Sequence, residues 1–273
     1  MFQARRRQSM MARAFALLEL IFISTVRQTK RGYRSGLLAL VMNILQIVIF
    51  VAVFYVIFEY LGLRGSAIRG DFILYMMTGI FLFITNAKTI GAVLGAEGPA
   101  SPMMHHAPMN TAVAIAAAAL SALYIQALSL LVVLTTVHVA LRPLVIYDPG
   151  GALMMFILSW FSGLSIGIVL LALKPWAPNL VKIIALVYTR ANMIASGKMF
   201  VVNQMPPRIR DFFDWNPLFH IIDQARGYTF INYNPMHTGW EYPLLISVIL
   251  LFIGLLIEFS TKRNASISWF AGR

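Results

Sequence analysis

The chain contains an almost uninterrupted apolar run, GLLALVMNILQIVIFVAVFYVIFEYL, at residues 36–61. A helix that crosses the hydrocarbon core of a bilayer needs about 20 mainly apolar residues, so this run is long enough. Five further stretches also qualify, at residues 72–94, 111–141, 151–173, 180–202 and 242–259. The sequence therefore predicts an all-α membrane protein with a six-helix transmembrane domain at 36–273, preceded by a cytoplasmic N-terminal segment at 1–35.

The composition excludes the common alternatives. Apolar residues make up 59% of the 273 residues and charged residues 12%, against about 45–50% and about 25% in ordinary soluble domains. Disorder requires low hydrophobicity and high net charge, which is the opposite pattern. The chain has no cysteine, so disulfides, thiolate catalysis and cysteine-based metal sites are excluded.

The distribution of positive charge predicts the topology. The formal net charge is +12, from 22 basic and 10 acidic residues. The basic residues flank the apolar runs, which favours anionic lipid over nucleic acid as their partner. Six spans place both termini on one side, and a cytoplasmic N-terminus puts thirteen basic residues in inner segments against six in outer segments. By the positive-inside rule we expect a multi-pass protein of the inner (plasma) membrane with both termini cytoplasmic.

The N-terminal region has two interpretations. Residues 10–31 read as an amphipathic helix that lies in the membrane interface, with its basic side chains reaching the headgroups. The alternative is a signal segment, because Arg5, Arg6 and Arg7 precede a short apolar run. Glu19 interrupts that run, however, and basic residues follow it where a cleavage site should be. The interfacial helix is the preferred interpretation.

The segment 203–240 is too long for a turn and too apolar for a solvated loop. Asn216 suits an N-cap, Pro217 suits the first helical position and Gly227 suits a C-terminal stop. Apolar residues between them repeat at helical spacing, and the other face carries His220, Asp223, Gln224 and Arg226. The sequence predicts a short amphipathic helix outside the core, on or dipping into the outer interface.

The motifs that the sequence contains favour transport over enzyme chemistry. There is no Walker A motif, so the chain does not bind ATP through a P-loop. None of the ten carboxylates lies in the middle of a span. Asp211, Asp214 and Asp223 form the one acidic cluster, and a magnesium site there would be the basis of an alternative, enzymatic reading. Ion pairing of this cluster with Arg208 and Arg210 is the simpler interpretation, and we expect no metal or cofactor on this chain.

Three basic residues lie inside predicted spans. Lys88, Arg190 and Lys198 would each cost at least about 2.5–3.5 kcal/mol if they faced lipid. They are therefore candidates for lining a wet pathway that attracts an anionic substrate. The alternative is snorkelling of the long side chains to the headgroups, which suits Lys198 near the end of its span.

An aromatic stripe on the first span is a second candidate for the substrate pathway. Phe50, Phe54 and Phe58 follow one another at every fourth residue, with Tyr55 beside them. Aromatic faces stack on the apolar faces of sugar rings, so the stripe could guide a glycan. A packing or lipid-facing stripe has the same spacing, and both interpretations stay open at this point.

The segment before the last span carries the most specific motif. The run Trp215-Asn216-Pro217-Leu218-Phe219-His220, continuing to Arg226, resembles the Asn-Pro-x-x-His stretch with a following arginine in ABC-2 type permeases. The basic, tyrosine-containing stretch 31–35 resembles their approach to the first span. The chain is most similar to the polysaccharide and polyol-phosphate exporter branch, the permeases of capsule and O-antigen export.

This resemblance implies a division of labour between subunits. Two copies of the chain would pair, and two separate ATP-binding cassette subunits, which hold ATP and magnesium, would drive a lipid-linked polysaccharide outward. Envelope-spanning export partners remain an open option. The resemblance places coupling to the ATPase at Arg13, Glu19, Glu97, His105 and His106, and an outer gate at Trp215, Asn216, Pro217, His220 and Arg226. His105 and His106 stand where the family often has a basic residue.

Two other functions remain as alternatives. The first is an ABC-2 exporter of lipid or drug, which would share the fold and the missing P-loop. The second is a membrane glycan-lipid transferase that uses Asp211, Asp214 and Asp223 as its site. The sequence leaves the identity of the glycan and its lipid anchor open.

Overall fold

A computed structural model describes residues 10–29, 35–60, 68, 70–98, 110–140 and 143–264. Within these ranges the chain forms nine α-helices and no strand. The helices are α1 Met10–Thr29, α2 Gly36–Tyr60, α3 Phe72–Leu94, α4 Thr111–Ala140, α5 Pro149–Leu173, α6 Pro178–Ala195, α7 Pro207–Phe213, α8 Pro217–Thr229 and α9 Glu241–Asn264. The prediction of an all-α membrane protein is confirmed.

Five of these helices are long and apolar enough to cross a membrane, in the part of the chain that the structure describes: α2, α3, α4, α5 and α9. Each lies where a span was predicted, with ends within a few residues of the prediction. α6 occupies the place of the predicted fifth span but is not among the five. It has 18 residues and includes Lys182 and Arg190, which lower its apolar character.

Aspartates begin two of the spans. The Asp71 carboxylate accepts hydrogen bonds from the backbone N–H groups of Ile73 and Leu74 at 2.8 and 3.3 Å. The Asp148 carboxylate accepts one from Gly151 at 3.0 Å, and Pro149 fills the first helical position of α5. Both use the free N–H groups of a first turn, as N-caps do.

The centre of the fold is the pair α3 and α5, which packs closely through small residues. A Cβ atom added at Gly163 would lie 2.7 Å from the Asn86 carbonyl oxygen, and one at Gly167 would lie 2.8 Å from the Cβ of Val93. α9 approaches α5 in the same way, since a Cβ at Gly254 would lie 2.8 Å from Ile168. Close helix contacts built on small residues are typical of membrane bundles.

The N-terminal helix forms almost as predicted, as α1, and packs along α4. The Thr29 and Ser121 hydroxyls lie 2.9 Å apart, in hydrogen-bonding contact. Large apolar side chains such as Phe15, Leu18 and Phe22 stay exposed on the helix. An exposed apolar face is what an interfacial helix requires, and its location in the membrane interface stays a prediction.

The end of α6 differs from the prediction. The expected span at 180–202 ends as a helix at Ala195, and the chain turns at Gly197, whose φ of +69° lies in the left-handed region that glycine tolerates. Lys198 therefore belongs to a turn, residues 196–200, whose first three residues are buried, rather than to a span. The expectation of a continuous helix that carries Arg190 and Lys198 is wrong.

α8 begins as predicted and then departs from the prediction. Asn216 caps it, because its side-chain oxygen accepts the Leu218 N–H at 3.1 Å. The helix passes through Gly227 to Thr229, so Gly227 is not its stop. A Cβ there would lie 2.6 Å from Pro235, which explains the glycine by a close approach. Ten of its thirteen residues are buried, and it packs on α3 and α5 rather than lying on a surface.

Candidate functional site

The motif residues of α8 are buried together in the protein interior. Asn216, His220, Asp223 and Arg226 recur at intervals of three or four residues, which places them on one side of the helix. All four side chains are buried. Burial of polar groups is tolerated only when their hydrogen bonds are satisfied, so the partners of each residue determine what the site does.

Arg226 holds the turn 196–200 through backbone carbonyl groups. Its guanidinium donates to the carbonyl oxygens of Gly197 at 3.1 Å, Lys198 at 2.6 Å and Phe200 at 2.5 Å. The guanidinium carbon lies 4.3 Å from the centroid of the Tyr75 ring. Arg226 is 0% exposed. Its planar fork of donors and its affinity for aromatic faces suit this position better than lysine would.

Lys198 points from the turn into a cage of three aromatic rings. Its Nζ lies 3.8 Å from the centroid of Phe83, 5.2 Å from that of Phe54 and 5.3 Å from that of Phe50. The side chain is 1% exposed, and its Nζ has no hydrogen-bond partner among the described residues. Cation–π attraction is effective within about 6 Å of a ring centroid. We call Lys198 with these three rings the lysine cage.

A glycine on α3 makes the cage possible. A Cβ added at Gly79 would lie 2.8 Å from both the Cβ and the carbonyl oxygen of Lys198. The absence of a side chain thus lets the turn reach the surface of α3. Arg226 holds the turn from one side and Gly79 admits it on the other, so the Lys198 side chain is directed toward α2 and α3.

Asp223 is anchored by hydroxyl groups. It accepts hydrogen bonds from the Tyr233 hydroxyl and, at 2.8 Å, from the Thr238 hydroxyl. Burial raises the pKa of the Asp223 carboxyl, while these two hydrogen bonds and the charge of Arg226 oppose the rise. Burial and the neighbouring Asp223 carboxyl also raise the pKa of Tyr233. The contacts fasten the segment 230–240 to α8.

His220 contacts two separate backbone segments through its two ring nitrogens. Its Nδ1 accepts the Gly239 N–H at 3.4 Å, and its Nε2 lies 2.7 Å from the Asp214 carbonyl oxygen. Because Nδ1 is the acceptor, Nε2 carries the hydrogen and donates. The Asp214 carboxylate lies 3.3 Å from the same Nε2. The histidine joins the end of α7 to the approach to α9.

Asn216 connects the start of α8 to the end of α6. Its amide nitrogen donates to the Asn192 side-chain oxygen at 2.7 Å and to the Ala195 carbonyl oxygen at 2.9 Å. Its own oxygen caps α8. The helix that ends early and the helix that begins after it are therefore joined by one side chain.

The sequence profile of the ABC-2 type transporter family matches residues 19–230, well over half of the chain. The chain belongs to this family. It is a multi-pass membrane subunit of an ABC transporter, and such permeases work with ATPase subunits and typically dimerise. No curated protein matches the chain significantly.

The structure brings some of the predicted pathway residues of the permease together. Phe50, Phe54 and Lys198 meet in the lysine cage, where the two phenylalanines contact the protein's own cation. Tyr55 lies beside Phe72, with 6.1 Å between ring centroids. The side chain of Phe58 lies outside the described residues.

The other two predicted pathway cations lie apart from the cage. Lys88 is exposed on α3 and lines a separate cavity. Arg190 is exposed on α6. The three basic residues therefore do not form one surface within a single copy of the permease.

The residues expected to couple to the ATPase are described only in part. Glu19 is exposed on α1, and Glu97 is half-buried just after α3. Arg13 belongs to α1, but its side chain lies outside the described residues, as do His105 and His106 altogether. Their role in coupling stays a prediction.

The acidic cluster does not converge on one site. Asp211 is exposed beside Arg210, 3.9 Å away, as its neighbourhood predicted. Asp214 faces His220, and Asp223 is enclosed by hydroxyl donors. Among the described residues no three histidine or acidic side chains are grouped to hold a metal ion. The three aspartates named in the transferase alternative therefore do not share one site.

The sequence reasoning missed several partners of the motif. Tyr75 and Phe83 lie in an apolar span and carry no signal that separates them from packing residues. Tyr233 lies ten residues after Asp223 and contacts it across a loop. Asn192 did offer a signal, because an amide inside an apolar helix needs a polar partner.

Trp215, which was predicted to belong to the outer gate, is exposed, and its carbonyl oxygen accepts a hydrogen bond from Tyr242 at 2.7 Å.

Proposed function

We propose that this permease exports a lipid-linked polysaccharide of the capsule or O-antigen type across the inner membrane. The observation that carries the proposal is the Asn-Pro-x-x-His motif with its following Arg226, whose side chains together organise the segment between α6 and α9. This motif is the most specific part of the sequence's resemblance to ABC-2 permeases, and the resemblance as a whole is strongest for the polysaccharide and polyol-phosphate branch.

In this proposal α8 is a rigid part of the permease on the side from which the polysaccharide leaves. Its motif side chains bind the protein's own turn, loop and helix ends, so they set the shape of the segment and do not bind sugar. Arg226 fixes the turn 196–200, His220 fixes the approach to α9, and Asn216 fixes α8 against α6. A movement that reaches one of these elements is passed to the others because their contacts are direct.

Two copies would form the pathway between them, with two separate ATPase subunits on the cytoplasmic side. α6 supports such a pairing, because only Val181 and Asn192 are buried on it within one copy. The exposed face carries Arg190 among apolar residues. A second copy or the cargo would cover this face, and Arg190 is placed to attract an anionic lipid phosphate.

The test is a deletion strain complemented with the intact gene. We expect the deletion to remove the surface glycan and to accumulate lipid-linked glycan inside the cell. The permease should co-purify with an ATPase whose Walker A lysine is required for export. Arg190→Met should reduce export while leaving expression and co-purification of the ATPase unchanged.

The alternatives give different results in the same strain. Intact surface glycan together with lost drug tolerance or altered lipid distribution would identify the permease as a drug or lipid exporter and contradict the proposal. Failure of any ATPase to co-purify would contradict the transport mechanism as a whole.

A further inference from the structure

A polar cavity lies among α1, α2, α3 and α4, away from the lysine cage. Its volume is 350 Å³, and its polar lining includes Thr29, Asn43, Lys88, Ser121 and Gln126. Polar cavities inside a membrane bundle are costly to maintain, and ionisable residues at such depth are functional candidates. The role of ABC-2 permeases as membrane subunits of ABC transporters does not by itself explain this cavity.

The hydrogen bonds around the cavity fix the orientation of a buried amide. The Ser129 hydroxyl donates to the Ile125 carbonyl oxygen at 2.7 Å, so its oxygen accepts from the Asn43 amide nitrogen at 2.8 Å. The Asn43 oxygen is then left to accept from the Gln126 amide nitrogen at 3.0 Å. The Ile125 backbone carbonyl can only accept a hydrogen bond. It therefore fixes which group donates and which accepts in each of the three bonds.

This direction leaves the side-chain oxygen of Gln126 as an acceptor without a donor. Gln126 is 1% exposed and lines the cavity, and its Oε1 has no hydrogen-bond partner among the described residues. A buried acceptor without a donor costs about 1–3 kcal/mol. A ligand that offers a hydroxyl or amine hydrogen would remove this cost.

Lys88 supplies the complementary charge. It lines the same cavity, and no acidic side chain of the described residues pairs with it. An unpaired lysine on a spanning helix favours an anionic partner, because a charge left facing lipid is unfavourable. The cavity therefore offers a cation and an acceptor, which suit a ligand with a phosphate and a hydroxyl group.

An apolar groove lies beside the cavity. It has a volume of 710 Å³ and lies between α1, α2 and α4, where Phe22, Leu37 and Leu120 line it. Thr29 and Ile125 line both the groove and the cavity. A polar site beside an apolar groove suits an amphipathic ligand with a polar head and a hydrocarbon chain.

We propose that the cavity and the groove bind an anionic phospholipid whose headgroup carries hydroxyl groups, of the phosphatidylglycerol class. Its phosphate pairs with Lys88, a headgroup hydroxyl donates to Gln126, and an acyl chain follows the groove. The site holds α1 against the spanning helices and so makes the position of α1 dependent on lipid.

The size of the cavity favours a bilayer lipid over the exported glycan. Sites for small molecules occupy about 300–1,000 Å³, and 350 Å³ lies near the lower limit. This volume accommodates a phosphoglycerol headgroup but not an oligosaccharide. The inference does not depend on what the permease exports, so it survives if the proposed cargo is wrong.

The test titrates the purified, delipidated full-length permease with single lipids and measures binding by native mass spectrometry. Phosphatidylglycerol should bind about tenfold or more tightly than phosphatidylethanolamine, because the charged contact to Lys88 is worth that much. Phosphatidylmethanol, which keeps the charge but lacks the headgroup hydroxyls, should bind with intermediate affinity.

Two variants connect this preference to the cavity. Lys88→Met should abolish the preference for phosphatidylglycerol. Gly91→Leu should block the cavity, since a Cβ at Gly91 meets no atom within 4 Å and its side chain has open space to fill. The matched control is Lys182→Met, which removes an exposed lysine from α6 and should leave the preference unchanged.

Three results would overturn the inference. Equal binding of phosphatidylglycerol and phosphatidylethanolamine would show that the cavity is not selective. An unchanged preference in both Lys88→Met and Gly91→Leu would place the lipid elsewhere. Displacement of phosphatidylglycerol by a lower concentration of a polyprenyl phosphate would assign the site to the cargo instead of the bilayer.

Discussion

α6 and α8, which the short helix α7 separates in the chain, differ sharply in how much of each is buried. α6 occupies the place of the predicted fifth span, and only two of its residues are buried within one copy. α8 was predicted as an amphipathic helix outside the core, on or dipping into the outer interface, yet ten of its thirteen residues are buried. Both helices carry an arginine: Arg190 is exposed, whereas Arg226 is fully enclosed.

The difference shows that partners decide burial here more than composition does. Arg226 finds three carbonyl oxygens in the turn 196–200 and an aromatic ring in Tyr75. Turns expose carbonyl groups that a regular helix would use internally. Among the described residues no comparable turn packs against Arg190, and this side chain stays exposed.

The largest effect is expected from Arg226→Met. This change removes all three donated hydrogen bonds at a cost of about 3–5 kcal/mol in total, because hydrogen bonds from a charged donor contribute about 1.5–3 kcal/mol each. The measurement is the thermal unfolding midpoint of the purified permease in detergent. Arg226→Lys should not restore stability, because one ammonium lacks the planar fork of donors.

The matched control on the other helix is Arg190→Met, which should change stability by less than about 0.5 kcal/mol. Equal midpoints for Arg226→Met and Arg190→Met would remove the contrast between the two helices.

A smaller loss is expected from Gly79→Ala. The added methyl group would lie 2.8 Å from the carbonyl oxygen of Lys198, and backbone shifts that relieve such overlap cost about 1–3 kcal/mol. Gly91→Ala on the same helix is the control. It has open space and should be neutral or slightly stabilising, since alanine favours helix over glycine by up to about 1 kcal/mol. Equal stabilities for the two variants would mean that the turn does not depend on its approach to α3.

A pH-dependent effect is expected at Asp223. Burial raises its pKa above the ordinary 3.8, so the folded protein binds this proton more tightly than the unfolded chain. Stability from this group is therefore present at low pH and is lost as the pH rises above about 4. Asp223→Asn removes the titration and should cost about 1 kcal/mol through the weakened contact with Thr238.

The measurement is the difference in unfolding midpoint between Asp223→Asn and the unmodified permease across a pH series. That difference should shrink as the pH rises from about 4 toward neutrality. A difference that grows with pH would mean that the charged carboxylate stabilises the fold, and that Arg226 outweighs the effect of burial.

The sequence predicted the parts of the fold that depend on local patterns. Apolar length located the five spans, and Asn216 before Pro217 located the start of α8 because capping uses neighbouring residues. The turn at Gly197 that follows α6 is held by Arg226, 29 residues later in the chain. The spacing of apolar residues along the sequence does not predict a contact between residues so far apart. The 18-residue α6 read as a longer span for the same reason.

The candidate site was predictable in its members but not in its arrangement. Phe50, Phe54 and Lys198 were each candidates for the pathway, and their apolar or basic character made them so. Their meeting in one cage requires the turn at Gly197 and the missing side chain at Gly79. Polar residues inside apolar runs were the most informative signal, since such residues must find partners.

The smallest effect is expected from Lys198→Met, which tests whether the charge itself holds the turn. Cation–π attraction in a desolvated cage contributes about 2 kcal/mol, but burying an ammonium group without a hydrogen bond costs a comparable amount or more. Methionine keeps the length and packs well against aromatic rings. The two terms oppose each other, so the unfolding midpoint should change by the equivalent of less than about 1 kcal/mol. Lys198→Ala, which empties the cage, should cost about 2 kcal/mol or more. If methionine were as damaging as alanine, the ammonium charge would be the feature that holds the turn, and burial in this region would depend on electrostatics rather than on packing and carbonyl contacts.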